Sequence, residues 1–295
     1  MEFGQVPVNE LNTIHFQPPR LELPSDWVPQ TIEKVYTGCN MWGHKPWLGI
    51  LYPPKTKEAD MLALYAKQFN SVELNATHYN LFPEAVFENW AKKVQSVPGF
   101  QFCPKVPQII SHASSLLAQL PSMQLFSHSI GFLGKALGAS FMQLPESFGI
   151  NRFEELQQFL MEAVLPANFF VELRNSAWYQ PGISKQVQEL FNKQGIGWVI
   201  TDAAGKQAVR HGYITVPRVF VRFVAFHNHA STATRLQYWA TALAASKVPE
   251  VYFFIHNHQE DYSPGIAQQW CTIAQAAGLP VQIPPLFQPP QTSLF

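Results

Sequence analysis

The sequence predicts an α/β fold, a single (β/α)8 TIM-type barrel with extended Pro-rich N- and C-terminal arms. Three observations carry the prediction. Short apolar runs recur along the chain, each followed by Gly-, Pro- or Asn-rich punctuation and then by a segment with helical spacing, the pattern of repeated βα units. Eight such runs are present, the number this barrel requires. Polar and charged residues collect towards the ends of the runs, where the fold builds its sites.

Residues 1–33 are rich in Pro and polar groups and are expected to form a surface arm; 34–282 form the barrel domain, and 283–295 a Pro-rich tail. The strand runs are VYTGC (35–39), SVELNATHY (71–79), FQFCPKV (100–106), SFMQLP (140–145), FFVELRN (169–175), WVITDA (198–203), VFVRFV (219–224) and VYFFIHN (251–257). Between them, ADMLALYAKQF sets Leu62, Tyr65, Ala66 and Phe69 on one helical stripe, and RFEELQQFLMEAV does the same with Phe153, Leu156, Phe159 and Leu160. The sixth and seventh runs are expected to be joined with little or no helix. No linker, charge run or composition shift marks a second domain.

Composition bounds the function classes. With 47% hydrophobic residues, 23 Phe and 8 Trp, the chain has ample apolar surface for a large core, and its 14% charged fraction is low for a soluble domain. Twenty basic and 20 acidic residues cancel, so no global field draws the protein to nucleic acid or an anionic membrane. Cys39, Cys103 and Cys271 are odd in number and widely spaced without a CxxC, which argues against a disulfide framework or structural zinc. The N-terminus lacks the features of a secretory signal and no run is long enough to span a membrane, so a cytoplasmic location is expected.

Side chains alternate along a strand, so each run assigns its polar residues to one face. Glu73, Asn75, Thr77 and Tyr79 oppose Val72, Leu74 and Ala76; Glu172 and Arg174 oppose Val171 and Leu173; Asp202 shares a face with Trp198 and Ile200, opposite Val199. Lys105, Gln143, Arg222 and His256 lie near the ends of four other runs. The outward face of a barrel packs on helices, and an unpaired charge buried there costs several kcal/mol, so the charged residues are expected at the mouth. Glu73, Glu172 and Asp202 would then meet Lys105, Arg174 and Arg222, with His256 beside them.

Other signals are weaker. His227-Asn228-His229 and His256-Asn257-His258 repeat an i,i+2 histidine spacing; the first is expected in a surface loop and the second at a strand end. Cys39 and Cys103 lie on strands, and Lys105 could activate the Cys103 thiol, but inert core cysteines are the expectation. Trp42, Trp47, Tyr52, Tyr79 and Trp178 could form stacking walls or pack under loops. No GxxxxGK or GxGxxG is present, so nothing indicates a nucleotide cradle.

The order and spacing of YTGCNMW with WLGILYP, YAKQFNSVELNATHY, PGFQFCPKVPQIISH, QLPESF, VELRNSAW, VFVRF and VYFFIHN, from about Val35 to Trp270, resemble the YecE-like family, domain of unknown function 72. The resemblance implies a TIM-like barrel, with family-typical polar positions falling on Glu73, Asn75, Tyr79, Lys105, His112, Gln143, Glu172, Arg174, Trp178, Asp202, Arg222 and Asn257. It implies no established activity. The family's Asn-Asn pair after the last strand appears here as His256-Asn257, and its Asn-Ala in the following helix is absent around Gln268-Gln269.

The leading expectation is an enzyme acting on a polar anionic small molecule or a nucleic-acid phosphodiester. Arg174, Arg222 and Lys105 would hold the anion, Glu73 or Glu172 would act as general base, and Asp202 or His256 would orient or donate a proton. Asn75, Tyr79, His112, Gln143, Trp178 and Asn257 would line the substrate site. An alternative is a metal-dependent hydrolase or lyase resembling endonuclease IV or xylose isomerase-like barrels. Its divalent ion would sit on Glu73, Glu172, Asp202 and His256, although the bases in the same mouth compete with it. A third reading, a non-catalytic ligand or nucleic-acid binding module, is favoured if a basic stripe joins Lys92, Lys93 and Arg210 on one face.

Overall fold

The computed structural model of the protein describes residues 4–25 and 27–287. Among the described residues nine strands follow in order: β1 (Lys34–Cys39), β2 (Ser71–Leu74), β3 (Gln101–Pro104), β4 (Ser140–Leu144), β5 (Phe169–Leu173), β6 (Gly197–Trp198), β7 (Ile200–Asp202), β8 (Arg218–Ala225) and β9 (Glu250–Asn257). All ladders are parallel, in the orders β1-β9-β8-β7, β2-β3 and β4-β5-β6. The sixth expected run is therefore divided. Its first half, β6, pairs with β5 and its second half, β7, with β8; Val199 lies at the break, its N–H bonded to the Val171 carbonyl at 2.9 Å.

Side chains and single bridges span the gaps between sheets. Phe102 pairs with Leu137 and Lys105 with Phe141, joining β3 to the β4 side. Between β1 and β2, the Asn70 amide donates to the Val35 carbonyl at 2.8 Å and accepts from the Thr37 N–H at 2.7 Å. Gly38 permits this approach, since a Cβ there would lie 1.9 Å from the Ser71 carbonyl oxygen.

Helices cover the outer face of the strands. Leu62 and Tyr65 on Glu58–Tyr65, with Ala66 and Phe69 just beyond it, are buried as their spacing predicts; so are Leu156, Phe159 and Leu160 on Phe153–Glu162. They join the large cluster formed by the outward strand residues, such as Val219, Val221 and Phe223. A second cluster occupies the inner faces and includes Tyr36, Cys103, Phe141, Phe170, Val199, Phe220, Tyr252 and Phe254. Between β7 and β8 only a 3-10 segment, Ala204–Val209, interrupts the loop, which explains the short interval between the sixth and seventh runs.

The described part of the N-terminal segment packs onto the sheets. Leu11 is buried with Ala204 and Phe226, just past the ends of β7 and β8, and Glu22 bridges to Tyr213. The Gln30 N–H then reaches the Lys247 carbonyl at 3.0 Å. Within the expected 283–295 tail the Phe287 N–H bonds the Ile50 carbonyl at 2.7 Å, and residues 288–295 lie outside the described residues. Among the described residues no helix is long and apolar enough to cross a membrane.

Candidate functional site

Alternation along β2, β5, β8 and β9 delivers Glu73, Glu172, Arg222 and His256 to the inner side, one step beyond the aromatic layer of Phe170, Phe220 and Phe254. Arg222 is the hub. Its Nε and one terminal nitrogen grip both Glu73 oxygens at 3.0 and 2.8 Å, while the other terminal nitrogen bonds Glu172 at 2.7 Å. Arg174 Nε donates to the second Glu172 oxygen at 2.9 Å, His256 Nε2 lies 2.9 Å from Glu73, and the Asn75 amide donates to Glu73 at 2.9 Å. Alongside, Lys105 Nζ donates to Gln143 Oε1 at 2.8 Å. The sequence-derived set Glu73, Glu172, Arg174, Arg222 and His256 thus forms one buried network with Asn75, and Lys105 and Gln143 stand beside it.

Asp202 is not part of it. It faces outward with Trp198 and Ile200, and both its oxygens are bound from the helix Ala230–Ser246, by Arg235 at 2.8 Å and the Trp239 indole N–H at 2.7 Å. Asp202 is expected at the mouth on the premise that an unpaired charge on the outer face is too costly. Arg235 removes that premise by supplying the countercharge from the helix.

Other expected site residues also lie elsewhere. The second strand ends at Leu74, and one helical turn, Ala76–Tyr79, replaces the expected continuation. Thr77 is buried with its hydroxyl against the Leu74 and Lys105 carbonyls, and Tyr79 is 74% exposed. Trp178 is buried, its indole donating to the Phe148 carbonyl at 2.7 Å, so it packs under a loop together with Phe148 and Phe153. Trp47 and Tyr52 are buried likewise. Asn257 is buried at the end of β9, where its side-chain oxygen accepts from the Gln259 N–H at 3.0 Å. Exposed His112 and buried His78 lie 5.4 Å apart and line, with Tyr79, a cavity of about 650 Å³; Arg174 lines another of about 370 Å³.

Of the paired histidines, His229 caps the helix at Ala230 and meets Asn12, whereas His258 packs on Phe226. All three cysteines are free and buried, and burial pushes the Cys39, Cys103 and Cys271 thiols up, away from nucleophile chemistry.

Sequence reasoning missed Asn40 and Glu260. Asn40 continues the inner face of β1; its amide nitrogen donates to Glu260 at 2.7 Å and sits 3.4 Å from His256 Nδ1. With Glu73 accepting at Nε2, Nδ1 is left as the acceptor from Asn40. The signal for Asn40 was the alternation Tyr36, Gly38, Asn40 carried past the strand end. Arg235 was also legible, as a charge on the buried stripe Thr232, Leu236, Trp239 and Leu243.

Charge and burial set the site's proton affinities. Burial alone would push the Glu73 carboxyl up, but Arg222 and then His256 outweigh it and hold it well below the usual carboxylate range. For Glu172, burial is likewise outweighed by Arg174 and Arg222, which bring it down to about 2. Both folded values lie below the unfolded ones, so their stabilisation is complete above the unfolded carboxylate range and is lost as pH falls through the folded values. We therefore expect the urea midpoint to fall steeply below pH 4, and Glu172→Gln, although less stable at neutral pH, to show a shallower fall.

Lys105 behaves oppositely. Burial, then Arg222, lowers its ammonium to about 7, with Glu172 and Glu73 only partly compensating. Below that value the folded state carries a desolvated charge, and the resulting penalty is relieved as pH rises from about 7 towards the unfolded lysine value. Lys105→Met is accordingly expected to raise stability by about 2–4 kcal/mol at pH 6 and by much less at pH 10, measured by urea denaturation.

The proposed ion-binding set does not converge. Asp202 is on the other face, and Arg222, Arg174, Asn75 and His256 occupy the oxygens of Glu73 and Glu172. Among the described residues no group of three or more His, Cys, Asp or Glu is arranged to hold a metal ion. The basic stripe is not formed either. Lys92 and Lys93 lie on the helix between β2 and β3, Lys93 bonding the Ala59 carbonyl, whereas Arg210 lies between β7 and β8 on the Gln17 carbonyl.

Comparison with known proteins agrees with the fold. The UPF0759 protein YecE of Escherichia coli K12 is 27% identical over 256 residues, covering 79% of this chain and 88% of the relative. YunF of Bacillus subtilis strain 168, also a UPF0759 protein, is 35% identical over a shorter stretch of 74 residues, 25% of this chain and 24% of the relative. Two solved DUF72 family structures share the architecture. That from Enterococcus faecalis V583 superposes with a TM-score of 0.67 at 23% identity, covering 82% of this chain and 96% of the other. That from Thermotoga maritima MSB8 gives 0.61 at 21%, covering 82% and 99%. The family model for "Protein of unknown function DUF72" matches residues 36–291, from the first inner-face tyrosine of β1 to beyond the last helix, and the chain belongs to that family.

Proposed function

We propose that the protein is an enzyme acting on a small polar anion at the C-terminal mouth of a (β/α)8 barrel. The observation that carries this reading is the gathering of three basic side chains at the strand ends: among the described residues Arg222, Arg174 and Lys105 stand with the two carboxylates Glu73 and Glu172, and Lys105 bonds the neutral Gln143. Arg222 is fully engaged by both acids, so Arg174 and Lys105 are the groups positioned to hold an entering anion. Glu73 fixes the His256 ring through Nε2, and this pair is where a proton can be held or moved. A phosphodiester offers the same charge, but the separate placement of Lys92, Lys93 and Arg210 favours a small molecule over nucleic acid. The outward placement of Asp202 counts against the metal-dependent alternative.

Calorimetric titration with inorganic phosphate at pH 7 and low salt tests the reading. The wild-type protein is expected to bind, and Arg174→Gln to bind about tenfold more weakly, the loss of roughly one charge-assisted hydrogen bond. Folded wild-type protein that takes up neither phosphate nor simple carboxylates would contradict it.

A further inference from the structure

We propose that Lys105 is the amine that condenses with a carbonyl group of the substrate, an aldehyde or ketone that also carries a carboxylate or phosphate. The inference rests on the anion-binding reading above and narrows its substrate class.

The first support is an imbalance of partners. Lys105 is 5% exposed, yet among the described residues its Nζ forms no ion pair, and its hydrogen bond is to the neutral Gln143 amide oxygen. Buried lysines are ordinarily held by a carboxylate. Here the carboxylates are already taken: Arg222, Asn75 and His256 bind Glu73, and Arg222 and Arg174 bind Glu172. Burial first, and then Arg222, outweigh the influence of Glu172 and Glu73, and among the described residues no carboxylate contacts Lys105, the arrangement that yields an amine with a free lone pair near neutrality.

The surroundings hold candidate proton carriers. Burial first, and then the Lys105 charge, lower the proton affinity of the His78 and His112 rings, and the helical turn that carries His78 meets Lys105 directly, the Thr77 hydroxyl donating to the Lys105 carbonyl at 2.7 Å. These rings line the cavity of about 650 Å³ together with Tyr79, Pro107, Gln108 and Ile109. His78 Nδ1 lies 2.9 Å from the Val106 carbonyl and must carry the proton there, so its Nε2 is the accepting nitrogen. His112 is exposed at its surface side, and burial of the remainder, then Lys105 and Arg174, lower its proton affinity. Arg174, which with Lys105 confers positive potential on the mouth, would take the substrate's anionic group.

The step balances without an oxidant or reductant. The Nζ lone pair forms the C–N bond as the carbonyl π pair moves to oxygen, and a proton passes from nitrogen to that oxygen. The hydroxyl then leaves with a second proton as water, giving the imine; the imidazoles of His78 and His112 are the groups proposed to relay those protons.

The test is reductive trapping at pH 7 with two probes, pyridoxal 5′-phosphate and glyoxylate, each with borohydride, followed by peptide mapping. Lys105 is expected to be modified about tenfold faster than the exposed lysines, with excess phosphate suppressing its labelling but not theirs. Lys105→Arg, checked for folding by circular dichroism, should lose that adduct and retain surface labelling. In the wild type, the Lys105 labelling rate should rise through about pH 7, where a lysine kept charged would rise only near pH 10. Protein that binds phosphate but is trapped by neither probe at Lys105 overturns the amine role and leaves the anion site standing. Protein that neither binds phosphate nor is trapped overturns both.

Discussion

Replacing Arg222 by methionine is expected to cost about 3–5 kcal/mol of unfolding free energy at neutral pH, because it removes the countercharge that two buried carboxylates share. Glu73 and Glu172 are each essentially without solvent exposure, and Arg222 supplies three of their hydrogen bonds. Urea denaturation followed by circular dichroism measures the loss. Arg222→Lys should recover only part of it, since an ammonium cannot reproduce the two-nitrogen grip on Glu73 and still reach Glu172. The pH trend adds a second reading. Without Arg222 the two carboxyls are expected to titrate higher in the folded state than in the unfolded one, so the variant should gain stability from pH 8 to pH 5. Unchanged stability in Arg222→Met would mean that the network is not formed.

A loss of similar size is expected on the opposite face of the sheet. Asp202→Ala removes the countercharge of Arg235, a guanidinium that is itself fully buried, and also frees the Trp239 indole N–H. The expected cost is again about 3–5 kcal/mol, and the double variant Asp202→Leu with Arg235→Met should recover most of it, because apolar side chains of similar volume can replace a buried ion pair. Phosphate binding by folded Asp202→Ala, measured at a temperature where the variant remains native, should match the wild type. A specific loss of binding with the fold intact would restore Asp202 to the mouth and contradict its assignment to the outer layer.

The contrast between Glu172 and Asp202 shows how far the sequence reaches. All eight expected runs contain a strand, because alternating apolar residues bounded by Gly, Pro and Asn specify both a pleat and its limits. Face assignment followed wherever the polar residues of a run were backed by apolar neighbours on the other face, as Val171 and Leu173 back Glu172. In WVITDA both faces are apolar, so alternation alone could not tell which one met the helices. Charge decided the matter wrongly there, since the compensating Arg235 comes from a helix more than thirty residues later. Asn75 reached the network despite the early end of β2, through its own side-chain bond to Glu73, whereas Tyr79 was carried to the surface by the intervening helical turn. Asn40 and Glu260 escaped notice because they lie beyond strand ends, where no run marks them. The division of the sixth run at Val199 had no local signal in the sequence either.

The most direct test of an anion site at this mouth is a crystal structure of the protein soaked in tungstate, with anomalous data locating the heavy anion. The expected result is a peak within hydrogen-bonding reach of Arg174 and Lys105, on the open side of the Arg222 network. A divalent cation lodged between Glu73 and Glu172 with Arg222 displaced, or tungstate bound only away from these residues, would contradict the assignment.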